Sequence, residues 1–400
     1  MSKVKKGYKD TEFGIIPNDW NIDTFGNLLE GFTSGATPYR AIPSFYNGDI
    51  LWISSGELNY NWITDTIEHI SLEAQRRTNL KKHPVGTFLM AITGLEAEGT
   101  RGRCAFVGNP ATTNQSCLAI YPTARLTTEY LFYFYRQYAN YLAFKYCQGT
   151  KQQSYTAKIA KQLPICCPSD VQEQQAIAEV LSDIDALINA LNKQIEKKKY
   201  IKQGAMQELL TGKKRLKGFS SKWKKIKLED IAKSINTGNK NNEEQTEDGR
   251  YPFFVRSQKI CYINSYSFDG EAILIPGEGG IGNIIHYING KFDYHQRVYK
   301  ISDFVNTEAK FVYYNMMILF AEHANKNSVK ATVDSLRLPT FLEYEMFIPS
   351  TKEEQTAIAQ VLTDMDNEIE QLEKKRDKYL NIKSGMMQQL LTGQIRLTAD

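Results

Sequence analysis

The chain has 400 residues, of which 42% are apolar and 24% are charged, and its net charge is +4. This composition excludes disordered and collagen-like proteins, and the length predicts two or three domains. No apolar run approaches about 18 residues, so no membrane-spanning segment is expected. The first residues are charged and have no apolar core, which argues against a secretory signal. Six scattered cysteines without a CxxC pair argue against a zinc site or disulfide framework and favour the reducing cytoplasm.

The positive charge is concentrated in the middle of the chain. Residues 193–227 contain thirteen Lys or Arg and two Glu, which gives this segment a charge of +11. A basic segment of this kind predicts a polyanionic partner, most simply nucleic acid. The alternative interpretation is a solvated helix face followed by a linker.

An internal repeat sets the organisation of the chain. Residues 168–216 and 349–397 align without a gap at an offset of 181, with 26 identities in 49 positions. We interpret this as a duplication with pseudo-twofold symmetry. It predicts four segments, which are a globular domain at 1–167, a helical region at 168–216, a globular domain at 217–348 and a helical region at 349–400.

The first globular segment is predicted to be rich in strands and to end in an aromatic helix. It opens around Trp20 and continues through the turn FTSGATPYR and several short apolar runs. These runs end at a short polar stretch that contains Gln115, which we call the polar stop. The aromatic helix is predicted over residues 128–146. The many Tyr and Phe residues are typical of strand-rich domains.

The first helical region predicts one long helix with a narrow apolar stripe. Pro168 cannot lie inside the helix, Ser169 can cap its start, and Gly212 stands where a C-terminal glycine belongs. Apolar residues recur at alternating steps of four and three, which is the spacing of a coiled-coil seam. The residues of this stripe are Ile177, Leu181, Ile184, Ile188, Leu191 and Ile195.

The second globular segment follows the first in outline, with Trp223 at its start, Gln296 at the polar stop and an aromatic helix over 308–324. Its run IPGEGGIGN contains a GxGxxG pattern, which in a dinucleotide site is followed by a helix. The sequence after it instead predicts a hairpin turn at Asn289-Gly290. A tight turn is therefore the favoured interpretation of this run, and a nucleotide-binding loop at 277–283 is the alternative.

The second helical region repeats the long helix, with Ser350 at its start and Gly393 at its end. Its stripe consists of Ile358, Leu362, Met365, Ile369 and Leu372. Because the two copies of the helical region are equally long and belong to one chain, we expect the helices to pair with each other as an antiparallel coiled coil. The alternative is two amphipathic helices, each packed on its own domain.

Motifs of catalysis are not found in the sequence. It has no GxxxxGK[ST] phosphate loop, no HExxH, no Asn-Pro-Pro-aromatic string of a DNA amino-methyltransferase and no Asp…Glu-x-Lys nuclease pattern. We therefore expect this chain to be non-catalytic, with no cofactor and no metal ligands.

The repeat resembles the specificity subunits of type I restriction–modification systems. The resemblance rests on the two P-S-x-x-x-E-Q-x-x-I-A-x-V-L-x-D-x-D segments and on the L-L-T-G-x-x-R-L ends at 209–216 and 390–397. Weaker matches are SGATP at 34–38, NGDILWIS at 47–54 and YPFFVRS at 251–257. The second globular segment departs from the family pattern, because it has NTGNKNN in place of SGATP.

The resemblance implies an α/β (α+β) protein with two target-recognition domains, whose β-rich cores are separated by the antiparallel coiled coil. Each domain is expected to read one half of a bipartite, asymmetric site in double-stranded DNA, and the coiled coil to set the gap between the halves. The implied partners are two modification subunits, which use S-adenosylmethionine to methylate adenine, and restriction subunits, which cleave DNA with ATP.

Residues on turns are the predicted contacts with DNA, since Arg pairs with guanine and Asn or Gln with adenine. In the first globular segment they are Ser34, Thr37, Arg40, Thr100, Arg101, Arg103, Lys151 and Gln152. In the second they are Asn239, Lys240, Arg256, Asn283, Lys330 and Arg337. The predicted docking residues for the modification subunits lie near the exposed ends of the helices and are Gln174, Gln207, Gln355 and Gln388.

Two other functions stay open on the sequence alone. One is an enzyme that uses the 277–283 loop to bind a nucleotide or S-adenosylmethionine. The other is a protein scaffold whose coiled coil joins two domains that do not bind DNA. Binding of S-adenosylmethionine by the isolated chain, and the salt dependence of DNA binding, distinguish these functions from sequence recognition.

Overall fold

The computed structural model describes residues 6–149, 153–328 and 334–397, and the chain divides into two compact units. Unit 1 comprises residues 1–190 and 376–400, and unit 2 comprises residues 191–375. Each unit therefore contains one globular segment, one half of the first long helix and one half of the second.

The strands of unit 1 are short and form a five-stranded sheet, a three-stranded sheet and two two-stranded pairs. In chain order they are β1 (Tyr8–Thr11), β2 (Gly14–Pro17), β3 (Asn21–Thr24), β4 (Glu30–Ser34), β5 (Ile50–Ile53), β6 (Trp62–Ile63), β7 (His69–Ile70), β8 (Phe88–Ala91), β9 (Cys104–Val107), β10 (Thr112–Thr113), β11 (Cys117–Tyr121) and β12 (Pro164–Cys167). The larger sheets have the orders β4-β11-β8-β9-β6 and β10-β5-β7.

The helices of unit 1 pack against its sheets. They are α1 (Phe25–Leu28), α2 (Leu72–Arg77), α3 (Thr128–Tyr146) and α4 (Ala157–Gln162), together with part of α5 (Val171–Leu209). The prediction of an aromatic helix over 128–146 is confirmed by α3. Phe132 of this helix lies 5.1 Å from Phe106 of β9 and Tyr135 lies 6.2 Å from Phe88 of β8, measured between ring centroids.

Unit 2 has one six-stranded sheet in the order β14-β19-β17-β18-β15-β16. Its strands are β13 (Trp223–Lys227), β14 (Ala232–Thr237), β15 (Tyr251–Phe254), β16 (Cys261–Ile263), β17 (Phe268–Pro276), β18 (His286–Tyr294), β19 (Val298–Phe304) and β20 (Glu345–Pro349). Its helices are α6 (Leu228–Ile231), α7 (Ala309–Asn327) and α8 (Leu338–Leu342), with part of α9 (Lys352–Leu390). The predicted second aromatic helix is confirmed by α7.

Equivalent strand pairs lead into the long helix of each half of the repeat. In unit 1, β3 pairs antiparallel with β12, and in unit 2, β13 pairs antiparallel with β20. The hydroxyls of Ser169 and Ser350 donate to the carbonyls of Asp19 and Lys222. These serines therefore tie the long helices to the strand pairs rather than capping the helices as predicted.

The long helices α5 and α9 contain 39 residues each, and each is about 58 Å long. In unit 1, Lys383 of α9 contacts Asp185 of α5, and Leu390 packs in the same cluster as Leu181. The numbering rises on one helix as it falls on the other, so the pairing is antiparallel. In unit 2, Lys202 contacts Asp366 with the same polarity. The expectation of an antiparallel helix pair is confirmed.

The predicted apolar stripes face the cores of the units. All six positions in α5 are at least 92% buried, and so are Ile358, Leu362 and Ile369 in α9. Met365 and Leu372 are only half-buried. The stripe of α9 is therefore less completely covered than the regular spacing predicts.

The predicted hairpin turn at Asn289-Gly290 is wrong. Both residues lie inside β18, where Gly290 stands opposite Gly270 of β17. The turn between β17 and β18 is instead the Gly-rich run, in which Gly279, Gly280 and Gly282 have φ values of +72°, +58° and +69°. Glycine adopts this left-handed backbone without the steric penalty that a side chain brings, so the turn is placed by its glycines.

Candidate nucleic-acid interface

The structure repeats one polar cluster at positions 181 apart. In unit 1, Asp185 accepts hydrogen bonds from the Tyr133 hydroxyl (3.2 Å) and the Lys383 ammonium (2.5 Å). In unit 2, Asp366 accepts from the Tyr314 hydroxyl (2.8 Å) and Lys202 (2.5 Å). Each cluster joins the aromatic helix of a unit to both of its long-helix halves. The two units therefore repeat an Asp–Tyr–Lys cluster, to which unit 1 adds Arg136 at 3.2 Å from Asp185.

A second repeated contact holds the starts of the long helices. Arg396 donates two hydrogen bonds of 2.6 and 2.8 Å to Glu173 and also donates to the carboxylate of Asp19. The hydrogen bond from Arg396 lowers the pKa of Asp19. In unit 2, Arg215 grips Glu354 at 2.5 and 2.7 Å. Both arginines come from the L-L-T-G-x-x-R-L ends, so the sequence motif corresponds to a specific ion pair.

The predicted exposure of Gln174 and Gln355 is wrong, since both side chains are at least 99% buried. The Gln174 amide donates to the carbonyls of Arg125 and Pro168 and accepts from the backbone N–H of Thr127 (2.9, 3.0 and 3.1 Å). Gln355 makes the equivalent contacts with Pro349 and Glu308. Both glutamines join their helix to the preceding segment and are not docking surfaces. Gln207 and Gln388 are exposed, as expected.

The basic segment 193–227 is partly neutralised within unit 2. Lys198 and Lys199 pair with Glu368 and Glu373 at 2.6 and 2.7 Å. Lys202 and Arg215 pair with acids of α9 as described above. The acids on the first half of α9 therefore account for part of the positive charge that the sequence assigned to a polyanionic partner.

Each globular segment presents a turn that packs on the backbone two residues before its polar stop. A Cβ on Gly35 would lie 1.7 Å from the carbonyl oxygen of Thr113, and a Cβ on Gly238 would lie 1.9 Å from that of Tyr294. Only glycine allows this approach. Thr113 and Tyr294 are themselves 181 apart, so the SGATP and NTGNKNN turns are equivalent in structure although they differ in sequence.

The exposed surface at the first of these turns, which we call the first-head face, contains Ser34, Thr37 and Gln115. The Thr37 hydroxyl donates to the side-chain oxygen of Gln115 at 2.5 Å. Ser34, Thr37 and Gln115 are all exposed. The structure thus joins two of the residues that the sequence singled out, one as a DNA contact and one as a polar stop.

The other described DNA-contact candidates of unit 1 have different partners. Arg40 is paired with Glu68 and lies 4.4 Å from the ring centroid of Tyr46. Arg101 and Arg103 donate to backbone carbonyls of their own loop, and Thr100 ends the short 3-10 turn beside them. Lys151 and Gln152 lie outside the described residues.

The second-head face is richer in polar side chains. It consists of Asn241, Asn242, Gln245, Arg256, Glu278, Gln296 and Arg297, which line two open clefts of about 430 and 470 Å³. The Gln296 amide donates to the Asn241 side chain at 2.6 Å. This contact is the counterpart of Thr37 and Gln115, because Gln115 and Gln296 are 181 positions apart.

Two arginines share one carboxylate on this face. Glu278 accepts a hydrogen bond from Arg256 at 3.4 Å and one from Arg297. His295 lies beside them, and its pKa is lowered by burial and then by the charges of Arg256 and Arg297. The imidazole is therefore neutral at pH 7, and the three charged groups carry a net charge of +1.

The remaining predicted contacts of unit 2 are placed separately. Lys240 pairs with Glu244 at 2.7 Å, and Asn239 is exposed next to it. Asn283 is exposed on the Gly-rich turn, and Arg337 is exposed at the start of α8. Lys330 lies outside the described residues.

The sequence did not identify Asn241, Glu278 and Arg297 as site residues. Gln115 and Gln296 were used there only to mark the polar stop of each globular segment. A signal for the glutamines was present, because they are separated by the same 181 positions as the helical repeat. Arg297 directly follows Gln296 and could have been found by the same comparison. No pattern in the sequence points to Glu278 as a partner of two arginines.

The 277–283 loop lacks the helix that a dinucleotide site requires, because β18 follows it. Within the described ranges, no group of three His, Cys, Asp or Glu side chains is arranged to hold a metal ion. In the same part of the chain, none of the helices has the length and hydrophobicity needed to cross a bilayer. All six cysteines are free thiols.

Comparison with known proteins places this architecture in a family. The MjaIX type I specificity subunit of Methanocaldococcus jannaschii is 32% identical over 194 residues, which span 47% of this chain and 43% of that protein. The putative MjaX specificity subunit of the same organism is 26% identical and aligns over 98% of this chain and 97% of its own length. A crystal structure of the type I restriction–modification S subunit from M. genitalium has a TM-score of 0.67 at 17% identity, over 93% of this chain and 96% of that one.

The sequence profile of the type I restriction modification DNA specificity domain matches residues 17–198 and again residues 220–381. The two matches cover most of the chain and coincide with the two halves of the internal repeat. The chain therefore belongs to the family of type I restriction–modification DNA specificity proteins.

Proposed function

We propose that this chain is the subunit that gives a type I restriction–modification complex its DNA sequence specificity. Each globular segment reads one half of a bipartite, asymmetric site in double-stranded DNA. The first-head face reads one half and the second-head face reads the other. Exposed amide, hydroxyl and guanidinium groups on turns are the side chains that recognise base edges in the major groove.

The observation that carries this proposal is the contrast between a repeated scaffold and two unlike faces. Asp185 and Asp366 each accept from a Tyr and a Lys, and Glu173 and Glu354 each pair with an Arg, at positions 181 apart. At the equivalent turns, however, Thr37 contacts Gln115 while Asn241 contacts Gln296 beside two arginines. A duplicated frame that carries different contact groups is suited to an asymmetric site.

The helix pair is proposed to set the spacing of the half-sites. Each long helix measures about 58 Å, which is between one and two turns of B-form DNA at about 34–36 Å per turn. Replacing Ile184 and Met365 together with Asp is expected to abolish binding to the paired half-sites. Unchanged binding with unchanged spacing would contradict this part of the proposal.

The chemistry of the complex is assigned to partner subunits. Two modification subunits are proposed to methylate adenine with S-adenosylmethionine, and restriction subunits to cleave DNA with ATP, in the cytoplasm. The exposed Gln207 and Gln388, near the ends of the long helices, are the retained candidates for docking the modification subunits. The chain itself is proposed to recognise DNA without catalysing a reaction.

Methylation-aware sequencing of the host genome, with and without the gene, tests the proposal. A bipartite motif is expected to lose methylation when the gene is removed. Gln115→Ala and Gln296→Ala form a matched pair, and each is expected to relax a different half of that motif. If neither variant alters either half, the assignment of reading faces is wrong.

Two binding measurements test the competing functions. Micromolar binding of S-adenosylmethionine by the purified chain, without partner subunits, would favour an enzyme. DNA binding through several Lys and Arg weakens steeply as salt rises, since bound counterions are released. A flat salt response of the assembled complex would favour a scaffold that does not bind DNA.

A further inference from the structure

The Gly-rich turn of unit 2 holds Glu278 in a fixed position. On one side, the Gly277 N–H donates to the carbonyl of Arg297 at 2.8 Å. On the other side, the Gly277 carbonyl accepts from Leu336 N–H at 2.8 Å, and Glu278 forms a β-bridge with Ser335. A Cβ on Gly282 would lie 2.8 Å from the Cα of Ala321 in α7, so the far end of the turn is fixed as well.

The fixed carboxylate lies beneath two exposed guanidinium groups. The Glu278 side chain is 22% exposed, while those of Arg256 and Arg297 are 41% and 52% exposed. Ion pairs at this exposure contribute little to the stability of the fold. Stabilisation of unit 2 therefore does not account for the arrangement, whereas orientation of the two arginines does.

We propose that Glu278 is a positioning residue that orients Arg256 and Arg297 to recognise guanine bases in the half-site read by unit 2. The inference rests on the proposed function and deepens it, because it names the base. Arg recognises guanine by donating two parallel hydrogen bonds to O6 and N7 in the major groove. A guanidinium that is already held by a carboxylate loses little conformational freedom when it makes such a pair.

A phosphate contact is the competing use of two exposed arginines, and the carboxylate argues against it. Attraction of a phosphate depends on net positive charge and carries no sequence information. Glu278 lowers the net charge of the cluster from +2 to +1, which weakens such a contact. It also fixes the direction of the guanidinium groups, which is what base recognition requires. The adjoining Asn241 and Gln296 amides supply further base-reading groups.

Three substitutions in the full chain, assembled with its modification subunits, separate charge from geometry. Arg297→Lys and Arg256→Lys keep the charge and remove the planar fork. We expect methylation to continue but preference for guanine at one position of one half-site to fall about tenfold or more. The other half-site stays unchanged and is the internal control. Arg250→Lys, at an exposed arginine of unit 2 outside the second-head face, is expected to change neither half.

Glu278→Gln is expected to have effects of opposite sign on affinity and specificity. The variant raises the net charge of the cluster by one, so binding to a duplex of unrelated sequence tightens and its salt dependence steepens. The preference for guanine falls, because the carboxylate no longer fixes the orientation of the two guanidinium groups. A residue with a purely structural role would not raise non-specific affinity while lowering specificity.

Other outcomes overturn the inference. A half-site without guanine contradicts it directly. A uniform loss of methylation in the Lys variants, with an unchanged motif and an unchanged unfolding temperature, identifies a phosphate contact. Because both arginines are exposed, the Lys variants are expected to fold, and each variant reports on the guanine that its own arginine recognises. If Gln115→Ala and Gln296→Ala still relax separate halves, the proposed function stands although this inference fails.

Discussion

Arg396 donates two hydrogen bonds of 2.6 and 2.8 Å to the buried carboxylate of Glu173, which lies 223 positions earlier in the sequence. The Glu173 side chain is 1% exposed and that of Arg396 is 28% exposed. Arg215 and Glu354 repeat this relationship in unit 2, where Glu354 is 0% exposed. The arginine of the L-L-T-G-x-x-R-L motif that ends each helical region therefore pairs with a buried glutamate at the start of the other helical region.

Arg396→Ala is expected to destabilise unit 1 by about 3–5 kcal/mol, because it leaves a buried carboxylate without its cation. Arg396→Lys is expected to cost less, since an ammonium keeps the charge and loses the two-pronged geometry. Urea unfolding followed by circular dichroism measures both effects.

Arg376→Ala is the matched control for this prediction. The Arg376 side chain is 29% exposed, close to Arg396, but its partner Asp377 is 58% exposed. An exposed pair is worth about 0–1 kcal/mol, so the control variant is expected to unfold nearly as the wild type does. Equal destabilisation by the two substitutions would show that burial of Glu173 does not matter.

Gln174→Ala and Gln355→Ala are each expected to cost about 1–3 kcal/mol for every backbone group left unsatisfied. The buried amides serve the N–H groups of Thr127 and Glu308 and the carbonyls of Pro168 and Pro349. Gln207→Ala and Gln388→Ala, at exposed positions, are expected to leave the unfolding midpoint unchanged. A stability change at the exposed pair, with none at the buried pair, would reverse this assignment.

Periodicity predicted the long helices because a coiled-coil seam constrains many positions at once. The spacing of Ile177, Leu181 and Ile184 is visible without any structure. Burial of Gln174 was not predictable in the same way, since an isolated polar residue on a helix is usually solvated. Its partners lie up to 49 positions away, and their placement depends on how α3 and β12 pack.

The candidate site was predicted less completely than the frame. Thr37, Lys240 and Arg256 were chosen as polar turn residues, and the structure places Thr37 on the first-head face, Arg256 on the second-head face and Lys240 beside the latter. Arg40, Arg101 and Arg103 satisfied the same criterion and instead bind their own surroundings. Turn sequences indicate exposure, but they do not show whether a neighbouring carboxylate or carbonyl already occupies a guanidinium.

The repeat predicts equal costs for equivalent core truncations. Leu181 and Leu362 are 181 positions apart and both are 0% exposed. Leu181→Ala and Leu362→Ala are each expected to cost about 2–5 kcal/mol and to agree within about 1 kcal/mol. Leu187→Ala, at a side chain that is 37% exposed, is the control and should cost far less. Markedly unequal values for the first two would mean that the stripes are covered differently.

His83 predicts a pH dependence of stability in unit 1. The ring is 2% exposed and contacts the Tyr121 hydroxyl at 2.7 Å. Burial, and then the charge of Lys81, lowers the pKa of His83 from 6.5 to about 4. Between these values the unfolded chain binds a proton that the folded chain does not, so stability falls as the pH decreases from about 6.5 to about 4.

The loss is expected to be about 2 kcal/mol at pH 5 relative to pH 7, from the 1.36 kcal/mol that each pH unit contributes in this range. His83→Gln removes the titrating ring and should flatten this part of the profile. Urea unfolding of the wild type and the variant at both pH values measures the difference, and carboxylates common to both proteins cancel. If the stability gap between the two proteins is the same at pH 7 and pH 5, burial of His83 does not govern acid sensitivity.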